Sequence, residues 1–156
     1  MIGRTVIVSG DSKCGKSMTM HALAEYGSVI GDDHIIIGVN EIRGNPDRRI
    51  RNVGRFSNER TGSLQEDKQF YLLELASSND SVNLDRGTIM DDSDLSQRIL
   101  KYFLQPITRG NKTYTATDLV AEIGDTESLL DGFLKNCSEI KLLRGSMDFL
   151  LSELHK

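Results

Sequence analysis

Thr5-Val6-Ile7-Val8-Ser9-Gly10-Asp11-Ser12-Lys13-Cys14-Gly15-Lys16-Ser17 is the stretch on which the reading of this chain turns. Its first five residues form a largely β-branched run, the signature of a short buried strand. The next eight read Gly-x-x-x-x-Gly-Lys-Ser, a full match to the phosphate-binding loop pattern. After it, Met18, Leu23 and the alanines Ala22 and Ala24 fall at helical spacing, and Gly27 supplies a stop. The spacing predicts a helix over Met18 to Tyr26. Strand, glycine loop and helix in that order open an α/β domain.

Each fixed position of the loop has a chemical reason. Glycines let successive backbone N–H groups turn inward around phosphate oxygens, a concavity that side chains would block. The helix that follows aims its positive N-terminal end at the same place. Lys16 adds a mobile full charge toward the β- and γ-phosphates, and the Ser17 hydroxyl suits Mg²⁺. The expected nucleotide-binding set is Gly10, Asp11, Ser12, Lys13, Cys14, Gly15, Lys16, Ser17 and Met18, with Lys16 also catalytic. Cys14, at a helix start beside Lys16, is expected to react readily and faster than Cys137, which reads as a buried apolar residue in a weak strand pattern. The alternative for the whole motif is a glycine turn that merely joins strand to helix.

Outward from the loop, Val29-Ile30 reads as a second strand, interrupted by Gly31-Asp32-Asp33 and resumed at Ile35-Ile36-Ile37. Two adjacent carboxylates there can serve a metal ion and a hydroxyl proton, and on spacing alone either can take either task. The alternative is a solvated polar turn. His34 is either a proton-transfer aid or a structural strand residue. Residues 41–63 hold six arginines (43, 48, 49, 51, 55 and 60) against Glu41, Asp47 and Glu59, with glycines and Pro46 interspersed. That stretch reads as a long loop. It has three readings: a solvated loop, a clamp over phosphate, or a dock for an acidic partner.

Further along, Gln69–Leu75 reads as a strand and Asp92–Leu104 as a helix capped by Ser93 or Asp94, with Leu95, Ile99, Leu100 and Phe103 on one face. Thr117–Ile123 and Thr126–Leu134 read as short helices, Glu139–Leu143 as a strand and Met147–His155 as a terminal helix.

Composition narrows the classes. The 156 residues suit one domain over 1–156, with no linker between the front and back halves. A net charge of -4 argues against a dedicated nucleic-acid binder. No apolar stretch approaches a membrane span, Met1–Thr5 lacks a signal-peptide core, and two cysteines cannot build a disulfide framework. A cytoplasmic protein is expected.

Taken together, Val8–Ser17, the helix, and Val29-Ile30-Gly31-Asp32-Asp33 resemble the kinase core of HPr kinase/phosphorylase, which the phosphoenolpyruvate carboxykinases share. The resemblance covers residues 3–38 specifically. It implies a P-loop domain with a mixed β-sheet flanked by helices. It also implies ATP and Mg²⁺ as cofactors, Asp32 as the catalytic acceptor of a hydroxyl proton and, with Ser17, Asp33 as metal contact. Glu41-Ile42-Arg43-Gly44 is similar to a short signature of that family, and Pro106–Asn111 to an arginine-bearing loop, so Glu41, Arg43 and Arg109 become possible phosphate or substrate contacts. The spacing to Glu41 is shorter than in the family, and Lys13 stands where the family has glycine. Neither hexamer assembly nor carboxykinase activity carries over, although a homo-oligomer stays open. The expected activity is phosphoryl transfer from ATP to a hydroxyl, on a protein serine or a small molecule. The alternatives are a small-metabolite or nucleoside kinase and a non-catalytic nucleotide-binding switch.

Overall fold

The computed structural model describes residues 4–27, 29–31, 35–37, 41–44, 61–63, 67–103, 107–109, 112–114 and 126–156. Strand β1 (Arg4–Gly10) runs into the glycine loop and helix α1 (Lys16–Leu23). Short strands β2 (Ile35–Ile37), β3 (Glu41–Gly44) and β4 (Thr61–Ser63) follow, and then the long strand β5 (Asp67–Leu75). Next come β6 (Asp80–Asn83), α2 (Arg86–Asp91), α3 (Ser93–Phe103), β7 (Ile107–Arg109) and β8 (Lys112–Tyr114). Helix α4 (Thr126–Lys135), β9 (Glu139–Gly145) and α5 (Met147–Leu154) complete the chain.

The central sheet has four strands in the order β1-β5-β9-β6. β1, β5 and β9 are parallel, with Gly10 opposite Leu73 and Glu74 opposite Arg144, while β6 runs antiparallel along β9. The chain is therefore α/β with a mixed four-stranded sheet and flanking helices.

Strand alternation sorts the core into two faces. Ile7, Phe70, Leu72, Ile140 and Leu142 meet Ile89, Ile99, Leu130 and Leu134 from α2, α3 and α4. Phe70 and Phe133 stack edge to face there at 5.4 Å. On the opposite face Tyr71, Leu73 and Leu143 meet Leu150 and Leu154 of α5, Leu23 of α1 and Cys14 of the loop.

Several sequence expectations need correction. Val29–Gly31 joins no strand ladder; Ile30 still packs against the core from an irregular segment. Ile35–Ile37 pairs antiparallel with Glu41–Gly44, in a separate three-stranded sheet rather than beside β1. Residues 41–63 begin and end in paired strands, with Glu41 opposite Ser63 and Arg43 opposite Thr61, so the stretch is not a loop throughout. Arg109 lies in β7, paired antiparallel opposite Lys112 of β8. Asp92, rather than Ser93 or Asp94, caps α3 by accepting from the Leu95 N–H at 3.0 Å. α1 ends at Leu23 and Ala24–Tyr26 form a turn. Cys137 lies between α4 and β9, half-buried, not in a strand. The helix expected over Thr117–Ile123 falls outside the described residues.

Candidate functional site

In a parallel sheet, ligands gather beyond the carboxyl ends of the strands, where helices begin. Here that edge carries the Gly10–Ser17 loop, the turn after β5 and the start of α5.

The loop leaves β1 through Gly10 (φ +154°), turns at Lys13 (φ +67°) and enters α1 through Gly15 (φ +97°). A side chain at Gly10 would put its Cβ 2.6 Å from the Leu73 carbonyl oxygen and from Cys14 Sγ. At Gly15 it would put Cβ 1.9 Å from the terminal methyl of Met147. Gly10 is thus required by its approach to the Leu73 backbone and Gly15 by its left-handed φ, since the Met147 methyl is the free end of a flexible side chain, whatever the loop binds. The Cys14 N–H closes the turn onto the Asp11 carbonyl at 3.2 Å, and the Thr19 N–H begins the helix on the Gly15 carbonyl at 2.9 Å.

Lys16 folds back across the loop. Its ammonium donates to the carbonyls of Gly10 at 2.9 Å and Asp11 at 2.6 Å and lies 3.8 Å from Cys14 Sγ. The positive group therefore sits within the loop, on its backbone carbonyls. α1 has Gly15 at its N-cap, no side-chain cap bond and no acidic residue in its first turn. By contrast, Asp85, Asp92 and Ser146 cap α2, α3 and α5. Four N–H groups at a helix start have no intrahelical acceptor, so this end presents positive charge beside a lysine. Chemically, the arrangement suits an anion.

Among the candidate residues the structure brings together Gly10 to Met18 as one surface: Asp11, Ser12, Lys13, Ser17 and Met18 are exposed and Cys14 is buried. Asp32, Asp33 and His34 lie outside the described residues. Glu41, Arg43 and Arg109 are placed by backbone only, in β3 and β7. Among the described residues no three His, Cys, Asp or Glu side chains converge as a metal cage. A nucleotide-borne Mg²⁺ needs no cage, only a hydroxyl and one or two carboxylates beside the phosphates, and the Ser17 hydroxyl is a hard oxygen of that kind.

This edge also carries a polar cluster that no contiguous motif marks. Glu74, the penultimate residue of β5, pairs with Arg144 of β9 at 2.5 Å through one carboxylate oxygen and with Arg98 of α3 through the other. The signal was present: four apolar residues, Phe70 to Leu73, followed by an acid.

Comparison with protein-family models, with curated proteins and with solved structures finds no match to this chain.

Proposed function

We propose that this chain is an ATP-dependent, Mg²⁺-assisted phosphotransferase acting on a hydroxyl, built on a P-loop domain similar to the HPr kinase core. One observation supports it most: a Gly-x-x-x-x-Gly-Lys-Ser loop joins the carboxyl end of a parallel strand to a helix without a side-chain cap, and its lysine ammonium lies inside the loop.

In this reading Lys16 exchanges its bonds to the Gly10 and Asp11 carbonyls for phosphate oxygens. The first N–H groups of α1 take further oxygens, and Ser17 faces the metal. Mg²⁺ supplies charge neutralisation on the phosphates. Asp32 takes the proton from the acceptor hydroxyl as its oxygen bonds the γ-phosphorus and the bond to the β-phosphate oxygen breaks, leaving ADP. Asp33 contacts the metal, as the resemblance implies, and Glu41, Arg43 and Arg109 are candidates to hold substrate phosphate. Catalysis is then mainly positioning and charge stabilisation.

Calorimetry with MgATP tests this. Lys16→Ala removes a charge-assisted contact worth about 1.5–3 kcal/mol, so affinity falls about tenfold or more. Asp32→Asn keeps that affinity and lowers turnover by about 10²–10⁴. Unchanged affinity in Lys16→Ala would leave the loop as a packing turn. An intact site with no transfer, in wild type, would make the chain a nucleotide-binding switch.

A further inference from the structure

Past Leu73, the last two side chains of β5 part to opposite faces of the sheet. Glu74 turns to the α3 face, where Arg98 and Arg144 take up its carboxylate. Leu75 follows Tyr71 and Leu73 onto the face of Cys14 and the glycine loop. It is 52% exposed, although Phe70 to Leu73 before it are buried. β1 ends opposite Leu73, so Leu75 has no strand neighbour on that flank. With a strand spacing of about 4.8 Å and a rise of about 3.3 Å, its Cα lies about 8 Å from that of Gly10, where the loop begins. On its other flank stands Gly145, and a Cβ there would meet the Phe149 ring at 2.6 Å and Asn79 Oδ1 at 2.5 Å. Met147, two residues before Phe149 in α5, rests its methyl on Gly15 of the loop. Leu75 therefore borders an apolar corner between the loop and the start of α5, with the Asn79 amide at its rim.

We propose that this corner seats the base of the nucleotide, a purine lying across Leu75 with its edge at the Asn79 amide; this rests on the proposed function above. The occupant follows from its tether. Phosphates held in the loop leave the base to settle about a sugar's length away, and Leu75 offers an uncovered apolar surface at that reach. The polar rim fits as well. Asn79 Oδ1 accepts the Ser146 N–H at 3.1 Å, which fixes the amide and leaves Nδ2 to donate, and purine ring nitrogens accept. An apolar seat with one oriented polar group is the usual make-up of a small-molecule site. Met18, 62% exposed at the start of α1, is the competing seat. The plainer account makes Leu75 an ordinary surface leucine.

The test compares ATP with inorganic tripolyphosphate, which carries phosphates without sugar or base, by calorimetry on the full chain with Mg²⁺. Wild type is expected to bind ATP more tightly than tripolyphosphate. Leu75→Ser is expected to lower ATP affinity about 3–10-fold and to leave tripolyphosphate affinity within about twofold of wild type. Leu75→Met, which keeps the apolar surface, is expected to bind ATP as wild type does. No loss for ATP in Leu75→Ser, or an equal loss for both ligands, overturns the proposal. So does a selective loss for ATP in Met18→Ser with none in Leu75→Ser. If Leu75→Ser melts below the assay temperature, Leu75→Ala carries the same comparison under the same criteria. A wild type that binds tripolyphosphate, but ATP no more tightly, overturns the base seat alone and keeps the loop as a phosphate site. Binding of neither overturns the functional reading, and this assignment with it.

Discussion

Lys13 holds a backbone φ of +67°, in the left-handed region, at the position where the resembled family carries glycine. The crowding of Cβ against the carbonyl costs a non-glycine residue about 1–2 kcal/mol there, partly offset by the greater freedom glycine has in the unfolded chain. Lys13→Gly is therefore expected to stabilise the protein by about 0.5–1 kcal/mol, raising the melting temperature by about 1–4 °C, and a calorimetric scan decides it. A drop would mean that the lysine side chain contributes more than its backbone costs. The cysteines behave differently from what their neighbours in sequence suggest. Cys14 stands at a helix start beside a lysine, yet it is only 6% exposed and packs beneath the loop among Tyr71, Leu73 and Leu143. Cys137 is half-buried, its thiol donates to the Phe133 carbonyl at 3.5 Å, and burial pushes its pKa up to about 11, with Lys68 opposing weakly. Both thiols should thus react more slowly with iodoacetamide at pH 7.5 than a free cysteine, Cys14 for lack of access and Cys137 for lack of thiolate. Raising the pH from 8 to 10 should quicken Cys137 by about tenfold per unit, since its thiolate fraction grows in that proportion below its pKa. Timed peptide mapping reads both sites, and rapid alkylation of Cys14 at pH 7.5 would show that the loop opens readily.

Helix α5 shows how an element is placed by its first residue. Ser146 caps it by accepting from the Phe149 N–H at 3.3 Å, while the Ser146 N–H donates to Asn79 Oδ1 at 3.1 Å. The helix is thereby tied to the turn after β5, and Met147 is set against Gly15 of the loop. Ser146→Ala loses the cap and should cost about 1 kcal/mol, a fall of about 2–4 °C in melting temperature. Because Met147 touches the loop, the same variant should also weaken nucleotide binding if the loop is the phosphate site; a stability loss with unchanged affinity would show that α5 does not shape it. The sequence makes β1, β5, β9 and the helices α3, α4 and α5 legible, because each is an apolar run or an amphipathic repeat long enough to stand out. β6 reads Asp-Ser-Val-Asn and α2 is six residues with an internal glycine, so neither carries a local signal, and their places come from pairing with β9 and packing of Ile89. The glycine loop is legible because its motif is contiguous, whereas its neighbour β5 lies more than fifty residues on and is seen beside β1 only in the sheet.

Among the described residues, Tyr71 and Cys137 are acidic groups held in neutral form, one near each face of the sheet, and they bear on behaviour in alkali. Tyr71, on the α5 face, donates to Glu139 Oε1 at 3.0 Å with Gln69 Oε1 also 3.1 Å away, and burial first, then the bond to Glu139, raises its pKa well above the ordinary 10.0. Cys137, near the opposite core cluster, is raised from 9.0 to about 11, by burial. In both cases the folded chain holds its proton more tightly than the unfolded chain does. Above the unfolded values the native state binds more protons than the denatured one, so the slope of unfolding free energy against pH is negative. The contribution from Cys137 is complete below about pH 9 and is lost as the pH rises through about 11; that from Tyr71 begins to fall near pH 10. Urea midpoints measured from pH 8 to 11 should stay level to about 9 and then decline. The decisive comparison is with a variant carrying Tyr71→Phe and Cys137→Ala. That variant starts lower at pH 8, having lost the Tyr71 hydroxyl bonds and the Cys137 packing, but its midpoint should fall less steeply above pH 9. Parallel declines in the two proteins would show that neither group governs the alkaline loss.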